Sequence, residues 1–157
     1  MSLTLEVRAA RAEDAQPWRA LWRGYFAALG GAISDEVTEA VWQHILAQHE
    51  IIGCLLAFRG TADPIGFANY VLHPRTWSLQ SVCYLEDIFV MPEARGSGAG
   101  SRLIEELVRL GKQKGWRRVY WHTHEALAKL PGGVRNLWRF GGKHSAGGYA
   151  RSPDVVC

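Results

Sequence analysis

The sequence holds three cysteines among 157 residues, Cys54, Cys83 and Cys157, with no Cys-x-x-Cys pair. An odd, scattered set does not build a disulfide framework or a zinc ribbon, and it fits a reducing compartment. No uncharged apolar run reaches the roughly 18 residues that a membrane-spanning helix needs. The start, Met1 to Glu6, has neither the basic opening nor the apolar stretch of a secretory leader. A soluble cytoplasmic protein without a membrane partner is therefore expected. The 17 glycines and six prolines follow no period, which excludes collagen-like and low-complexity classes. No repeat or linker interrupts the chain, so one domain over residues 1–157 is expected.

What is present suits a packed core. Hydrophobic residues make up 48% of the chain and charged residues 21%, too apolar a balance for disorder. A chain of this length buries about 68–70% of its unfolded surface without a staple. The net charge of +3 is uneven. Residues 1–111 hold nine Lys and Arg against thirteen Asp and Glu, whereas residues 112–157 hold nine against two. A basic end suits nucleic acid, membrane phosphates, a phosphate-rich cofactor, or simply water. No nucleic-acid motif accompanies Trp116, Trp121 and Trp138, so no such partner is expected.

Periodicity orders the elements. Residues 5–9 alternate as a short strand, and Glu13 and Asp14 suit the first turn of a helix reaching Leu29. That helix repeats Trp18, Leu21, Trp22, Tyr25, Phe26 and Leu29 at spacings of three and four. Such a stripe is a core face, unless its edge at Tyr25 and Phe26 lines a substrate cleft. After Gly30-Gly31, Ser34 caps a second helix whose apolar face is Val37, Val41, Ile45 and Leu46. Residues 51–58 form a buried strand, and 65–72 pair back antiparallel with Gly66 weakening the strand or marking a bulge. His73-Pro74-Arg75 closes that pair. A third strand, 82–90, contains the adjacent acids Glu86 and Asp87. A helix through Lys114 then buries Leu103, Ile104, Leu107, Val108 and Gly111, and residues 118–123 return parallel to 82–90. The fold class is α/β: antiparallel strands first, then a parallel pair, flanked by helices.

The turn Arg95-Gly96-Ser97-Gly98-Ala99-Gly100, between a strand and a helix, is a recipe for holding an anion. The first turn of a helix has N–H groups without partners, and glycine lets an anion come close. Ser101-Arg102 after Gly100 does not match the Gly-Lys-Ser/Thr of a P-loop. No acid follows at a dinucleotide fold's distance, because the next strand ends His122-Thr123-His124.

The run from Leu85 to Gly100 resembles the acetyl-CoA signature of the GNAT N-acetyltransferases, Arg/Gln-x-x-Gly-x-Gly/Ala, in Arg95, Gly98 and Gly100. Tyr84-Leu85-Glu86-Asp87 is similar to the branch acting on polyamines and thialysine-like amines (the spermidine/spermine type). The resemblance implies that backbone N–H groups of Gly96, Ser97, Gly98, Ala99, Gly100 and Ser101, with Arg95, hold the pyrophosphate of acetyl-CoA. It implies that the backbone of Ile88, Phe89 and Val90 pairs with the pantetheine arm, where this strand splays from the next. An amine of pKa near 10.4 needs a base before it can attack. Glu86 matches the family's carboxylate, acting directly or through water, and Asp87 points to the other face if the strand is regular. Asp87, Tyr25 and Phe26 are the candidate substrate contacts, and Asp35, Glu36 and Glu39 add to a field that draws a cationic amine. The reading is transfer of an acetyl group from acetyl-CoA to a primary amine of a small molecule (polyamine, thialysine or amino-acid-like) in a ternary complex. Dimerisation is common in the family.

The pattern departs from the family late in the chain. In Asn136-Leu137-Trp138-Arg139-Phe140-Gly141, Trp138 stands where the family's proton-donating tyrosine belongs. Indole is a poor general acid, and no spacing supports Tyr149 in its place. The segment 126–157 is expected to be atypical, altered by a change of reading frame and without the usual final helix and strands. The alternative function is therefore a coenzyme A-binding protein of this fold with little catalysis. His122-x-His124 has no third ligand in reach, so no metal is expected, and Cys83 lacks a histidine partner.

Overall fold

The computed structural model describes residues 4–47, 51–60 and 63–121, together with the backbone of residues 138–139. Strand β1 (Leu5–Ala9) leads through a 3-10 turn, Ala12–Asp14, into α1 (Ala15–Ala28) and α2 (Asp35–Leu46). Strands β2 (Ile52–Arg59), β3 (Pro64–Arg75) and β4 (Ser78–Val90) follow, then α3 (Ala99–Lys114), β5 (Arg118–Tyr120) and the two-residue β6 (Trp138–Arg139). The sheet keeps chain order, β1 through β6. Neighbours are antiparallel except β4 and β5, which are parallel on either side of α3.

Helices cover both faces, which is why β2 reads as an unbroken apolar run rather than an alternating one. On one face Leu55, Ala57, Ala68, Cys83 and Leu85 pack against α3. On the other, Cys54, Leu56, Phe58, Phe67 and Phe89 meet α1 and α2. Helix α3 buries Leu103, Ile104, Leu107, Val108 and Gly111, the face expected of it, and adds Ala99. Leu103 and Leu107 are fully buried. Truncating either to alanine costs about 2–5 kcal/mol.

Several expectations are corrected. Helix α1 begins at Ala15, and Leu29 leaves its apolar face, being 57% exposed. The N–H of Gly30 bonds Ala27 O and that of Gly31 bonds Phe26 O. This double closure, with Gly30 at φ +77°, turns Leu29 outward. Ser34 caps α2 as expected, its hydroxyl accepting from the Val37 N–H at 3.2 Å. The buried face of α2 is Thr38, Trp42 and Ile45, while Val37 is 47% exposed. Trp42 packs on Trp18 with ring centres 4.8 Å apart and planes tilted by 32°, and Thr38 can be buried because its hydroxyl donates to Ser34 O at 2.9 Å. Strand β3 does not close at residues 73–75. It runs to Arg75, which pairs with Ser78 across a two-residue loop, and Pro74 falls where the register slips. Gly66 lies at a bulge as expected, since Ala57 faces Gly66 and Phe58 faces Pro64, leaving Ile65 unopposed.

Strand β5 ends at Tyr120, and positions 122–123, expected to extend it, lie outside the described residues. So do the expectations for 126–157, apart from residues 138–139, whose backbone pairs antiparallel with β5 and there continues the sheet. Among the described residues, no helix is long and apolar enough to cross a membrane.

Candidate active site

Beyond β4 the chain makes a second 3-10 turn, Pro92–Ala94, and reverses into α3. Arg95 folds back so that its Nε donates to Val90 O at 3.3 Å, tying the turn to the strand end. Gly96 and Gly98 take φ +79° and +86°, and Gly98 is the N-cap of α3. A Cβ at Gly96 would meet nothing within 4 Å, and one at Gly98 only Leu5 Cδ1 at 3.8 Å. The turn therefore opens away from the core. Of the six N–H groups from Gly96 to Ser101, that of Ser97 bonds Ala94 O at 3.3 Å and that of Ala99 bonds Ser97 Oγ at 3.4 Å. The N–H groups of Gly96, Gly98, Gly100 and Ser101 have no acceptor among the described residues. Four N–H groups without acceptors among the described residues, at the positive end of a 16-residue helix, are an arrangement able to hold an anion.

The strand leading into this cradle has a free edge. Strand β4 pairs with β3 along most of its length but with β5 only at Cys83 and Tyr84. From Leu85 to Val90 the opposite edge has no strand partner among the described residues. Phe89 is buried between Phe67 and Tyr25, and Ile88 and Val90 pack towards α3. Only their backbone groups are presented, and an extended, amide-containing arm can pair with them.

The acids sit at an irregularity of the same strand. Asn69 faces Asp87 and Tyr70 faces Leu85, so Glu86 is the unopposed residue of a β-bulge. The strand is not regular here, and simple alternation does not assign the two carboxylates. Leu85 and Ile88 both pack on the α3 side. Asp87 turns to the α1 side, where Tyr25 donates to Oδ1 at 2.9 Å and Asn69 Nδ2 donates to Oδ2 at 3.3 Å. Glu86 stands exposed at the bulge. Burial raises the Asp87 carboxyl above the usual range, against the pull of its two hydrogen bonds. Glu86 is raised too, first by desolvation and then by the Asp87 charge beside it. A carboxylate so raised is a better proton acceptor for an ammonium group than an ordinary surface glutamate.

The other expected substrate contacts fall differently. Tyr25 is 7% exposed, its ring in the aromatic cluster, and only its hydroxyl reaches the acids. Phe26 packs edge-on against Trp22 at 4.8 Å and Tyr25 at 5.3 Å. The stripe is thus core, with Tyr25 joined to the site through Asp87. Asp35 pairs with Arg23 and Glu39 with Arg19, which cancels much of the field expected from α2. Asn69, 4% exposed, was not singled out by the sequence reading. A polar residue inside the apolar run Phe67-Ala68-Asn69-Tyr70 was the available signal. Cys54 and Cys83 are buried, with thiol pKa values pushed up by desolvation, the environment of packing residues. Among the described residues no three His, Cys, Asp or Glu cluster as metal ligands, and His122 and His124 lie outside them.

The chain matches the Acetyltransferase (GNAT) family over residues 15–130. It is 31% identical over 118 residues to the D-amino-acid N-acetyltransferase of Saccharomyces cerevisiae, covering 74% of this chain and 73% of that one. It is 39% identical over 128 residues to the thialysine N-epsilon-acetyltransferase of Sus scrofa, covering 72% and 75%. Among solved structures, an aminoglycoside N-acetyltransferase in complex with CoA superposes with a TM-score of 0.67 at 24% identity, over 80% of this chain and 81% of that one. A ribosomal-protein-alanine N-acetyltransferase from Brucella melitensis gives 0.62 at 21% identity, over 74% and 78%. At that level of identity the structural likeness concerns the fold.

Proposed function

The chain belongs to the GNAT acetyltransferase family and is an acetyl-CoA-dependent N-acetyltransferase, and from that premise we propose that it acetylates a primary amine of a small molecule, with Glu86 as general base. One observation carries the reading. A single strand runs from the bulge at Glu86, past an edge with no strand partner among the described residues, into a turn whose N–H groups at Gly96, Gly98, Gly100 and Ser101 have no acceptor among them. An elongated ligand with a diphosphate at one end and a reactive carbonyl at the other fits that layout.

In this reading the turn holds the pyrophosphate, and the backbone of Ile88 to Val90 lines up the pantetheine arm. Acetyl-CoA supplies the thioester as acyl donor. Glu86 takes a proton from the acceptor ammonium, directly or through water, and the freed amine attacks the thioester carbonyl without an acyl-enzyme. A backbone N–H on that edge after the bulge stabilises the developing oxyanion. Asp87, fixed by Tyr25 and Asn69, positions and tunes Glu86. A thiolate with pKa near 8.5 is a tolerable leaving group, so turnover does not require a dedicated acid.

The relatives that act on thialysine and on D-amino acids support an amine acceptor with amino-acid character. The test is acetyl-CoA consumption across polyamines, lysine analogues and amino acids. Turnover of at least one primary amine is expected. Tight coenzyme A binding with no turnover on any of them would replace this reading with that of a binding protein.

A further inference from the structure

Helix α1 crosses the sheet and outruns it. Trp18 lies beside Cys54 of β2, and Trp22 meets Phe67 of β3 at 5.7 Å. Tyr25 meets Phe89 of β4 at 6.1 Å and donates to Asp87 of the same strand. The helix advances about 10.5 Å from Trp18 to Tyr25, and two strand spacings are about 9.6 Å, so its axis runs nearly square to the strands. Leu29 is one turn beyond Tyr25, about 6 Å further, which carries it roughly one strand spacing past β4. Along Leu85 to Val90 no strand lies there among the described residues, because β5 pairs with β4 only at Cys83 and Tyr84. The end of α1 thus overhangs the gap beside Glu86 and Asp87. That end is apolar. Ala27, Ala28, Leu29, Gly30, Gly31 and Ala32 are all exposed, and none carries a polar side chain. Leu29, turned out of the core by the Gly30 closure, is the large one among them. No charged side chain occurs from Gly24 to Ser34, and the flanking Arg23 and Asp35 pair with each other at 3.2 Å.

We propose that this overhanging tip, centred on Leu29, seats the body of the acceptor, and that the acceptor is an amine carried on an uncharged alkyl or aryl body rather than a polyamine. This rests on the acetyltransferase reading above and deepens it. The acceptor nitrogen meets the acids and its body packs under Leu29. One end is then recognised by charge, and the other by removing apolar surface from water. Each methylene that the tip covers is worth about fourfold in affinity. A second ammonium in the same place gives up water and finds no acidic side chain between Gly24 and Ser34 to replace it. Leu29 is exposed and contributes little to the fold, so its side chain can be exchanged without disturbing the core.

Steady-state kinetics on the full chain test this with hexylamine and 1,5-diaminopentane, which differ only by a methyl or an ammonium group at the far end. Wild type is expected to favour hexylamine in kcat/KM by about tenfold or more, since the methyl gains from burial and the ammonium loses. Leu29→Asn is expected to bring the hexylamine-to-diamine ratio towards one, mainly through a higher KM for hexylamine. Leu29→Asp is expected to invert it. Both variants should melt within about 4 °C of wild type. Equal or better use of the diamine by wild type, or variants that leave the ratio unchanged, would overturn the seat. A larger loss of Tm in Leu29→Asn would overturn it too, because Leu29 would then be covered by the chain rather than open to a ligand. If no amine is turned over, the acetyltransferase reading fails separately, and calorimetric titration of the CoA-loaded protein then decides. Tighter binding of hexylamine than of the diamine, weakened in Leu29→Asn, supports the seat, and equal binding refutes it.

Discussion

Replacing Gly98 with alanine separates the cradle from ordinary backbone strain. Gly98 sits at φ +86°, where a residue with a Cβ costs about 1–2 kcal/mol. The added methyl finds only Leu5 Cδ1 at 3.8 Å, so no clash contributes. The turn then relaxes to negative φ and swings its N–H groups out of register, or keeps its shape with a methyl standing in the open space the diphosphate would occupy. Strain alone lowers Tm by about 2–8 °C, at ~2–4 °C per kcal/mol for a chain of this size. Relaxation removes charge-assisted hydrogen bonds to the diphosphate. Losing two at about 1.5 kcal/mol each weakens coenzyme A by roughly 150-fold. Gly115 supplies the control, since it is also left-handed, at φ +72°, with open space around its Cβ position, but at the far end of α3. Gly115→Ala is expected to lose similar stability and keep coenzyme A affinity within about threefold. Titration calorimetry and thermal melts on both variants read the two effects apart. Gly98→Ala with wild-type affinity, or equal losses of affinity in both, would refute the cradle.

Other perturbations probe the acids and the frame. Glu86→Gln is expected to lower kcat/KM by about 10²–10⁴ at neutral pH and to recover partly at high pH, where free amine accumulates; a pH–rate profile checks it. In wild type the rising limb of that profile sits above the usual glutamate range, because desolvation and Asp87 both raise Glu86. Asp87→Asn removes the second cause and is expected to move the limb to lower pH; an unmoved limb would dissociate Asp87 from Glu86. Tyr25→Phe deletes a hydrogen bond to the half-buried Asp87 carboxylate and is expected to cost about 1.5–3 kcal/mol in denaturant unfolding. Asp14 is held down in pKa chiefly by its Arg8 hydrogen bonds, with the Arg11 N–H adding to them. Its contribution is present above the unfolded value of 3.8 and is lost as pH falls through the lower folded value. Asp14→Asn is therefore expected to flatten the acid limb of the stability curve.

Strong local signals were legible and weak ones were not. The burial of α3 followed from its 3.6-residue period, and its start from the glycine turn 95–100 before it, because one helix on one sheet face answers to a single pattern. Helix α2 was misjudged by about one position. Hydropathy favours Val37 over Thr38, but Trp18 needs Trp42 as a packing partner, and that choice lies in another helix. The acids were visible as a pair, whereas their different surroundings were not. That difference comes from a single residue of register slip beside Asn69, and here no glycine marks the bulge. The glycine turn showed where donors lie, and only the folded turn shows that Ser97 and Ala99 spend theirs internally.

Amide resonances of the 15N-labelled protein, followed as coenzyme A is added, bear most directly on whether this turn grips the diphosphate. Gly96, Gly98, Gly100 and Ser101 should move furthest downfield, with Ser97 and Ala99 moving less. Saturable binding that leaves those four resonances in place and shifts amides elsewhere would contradict it.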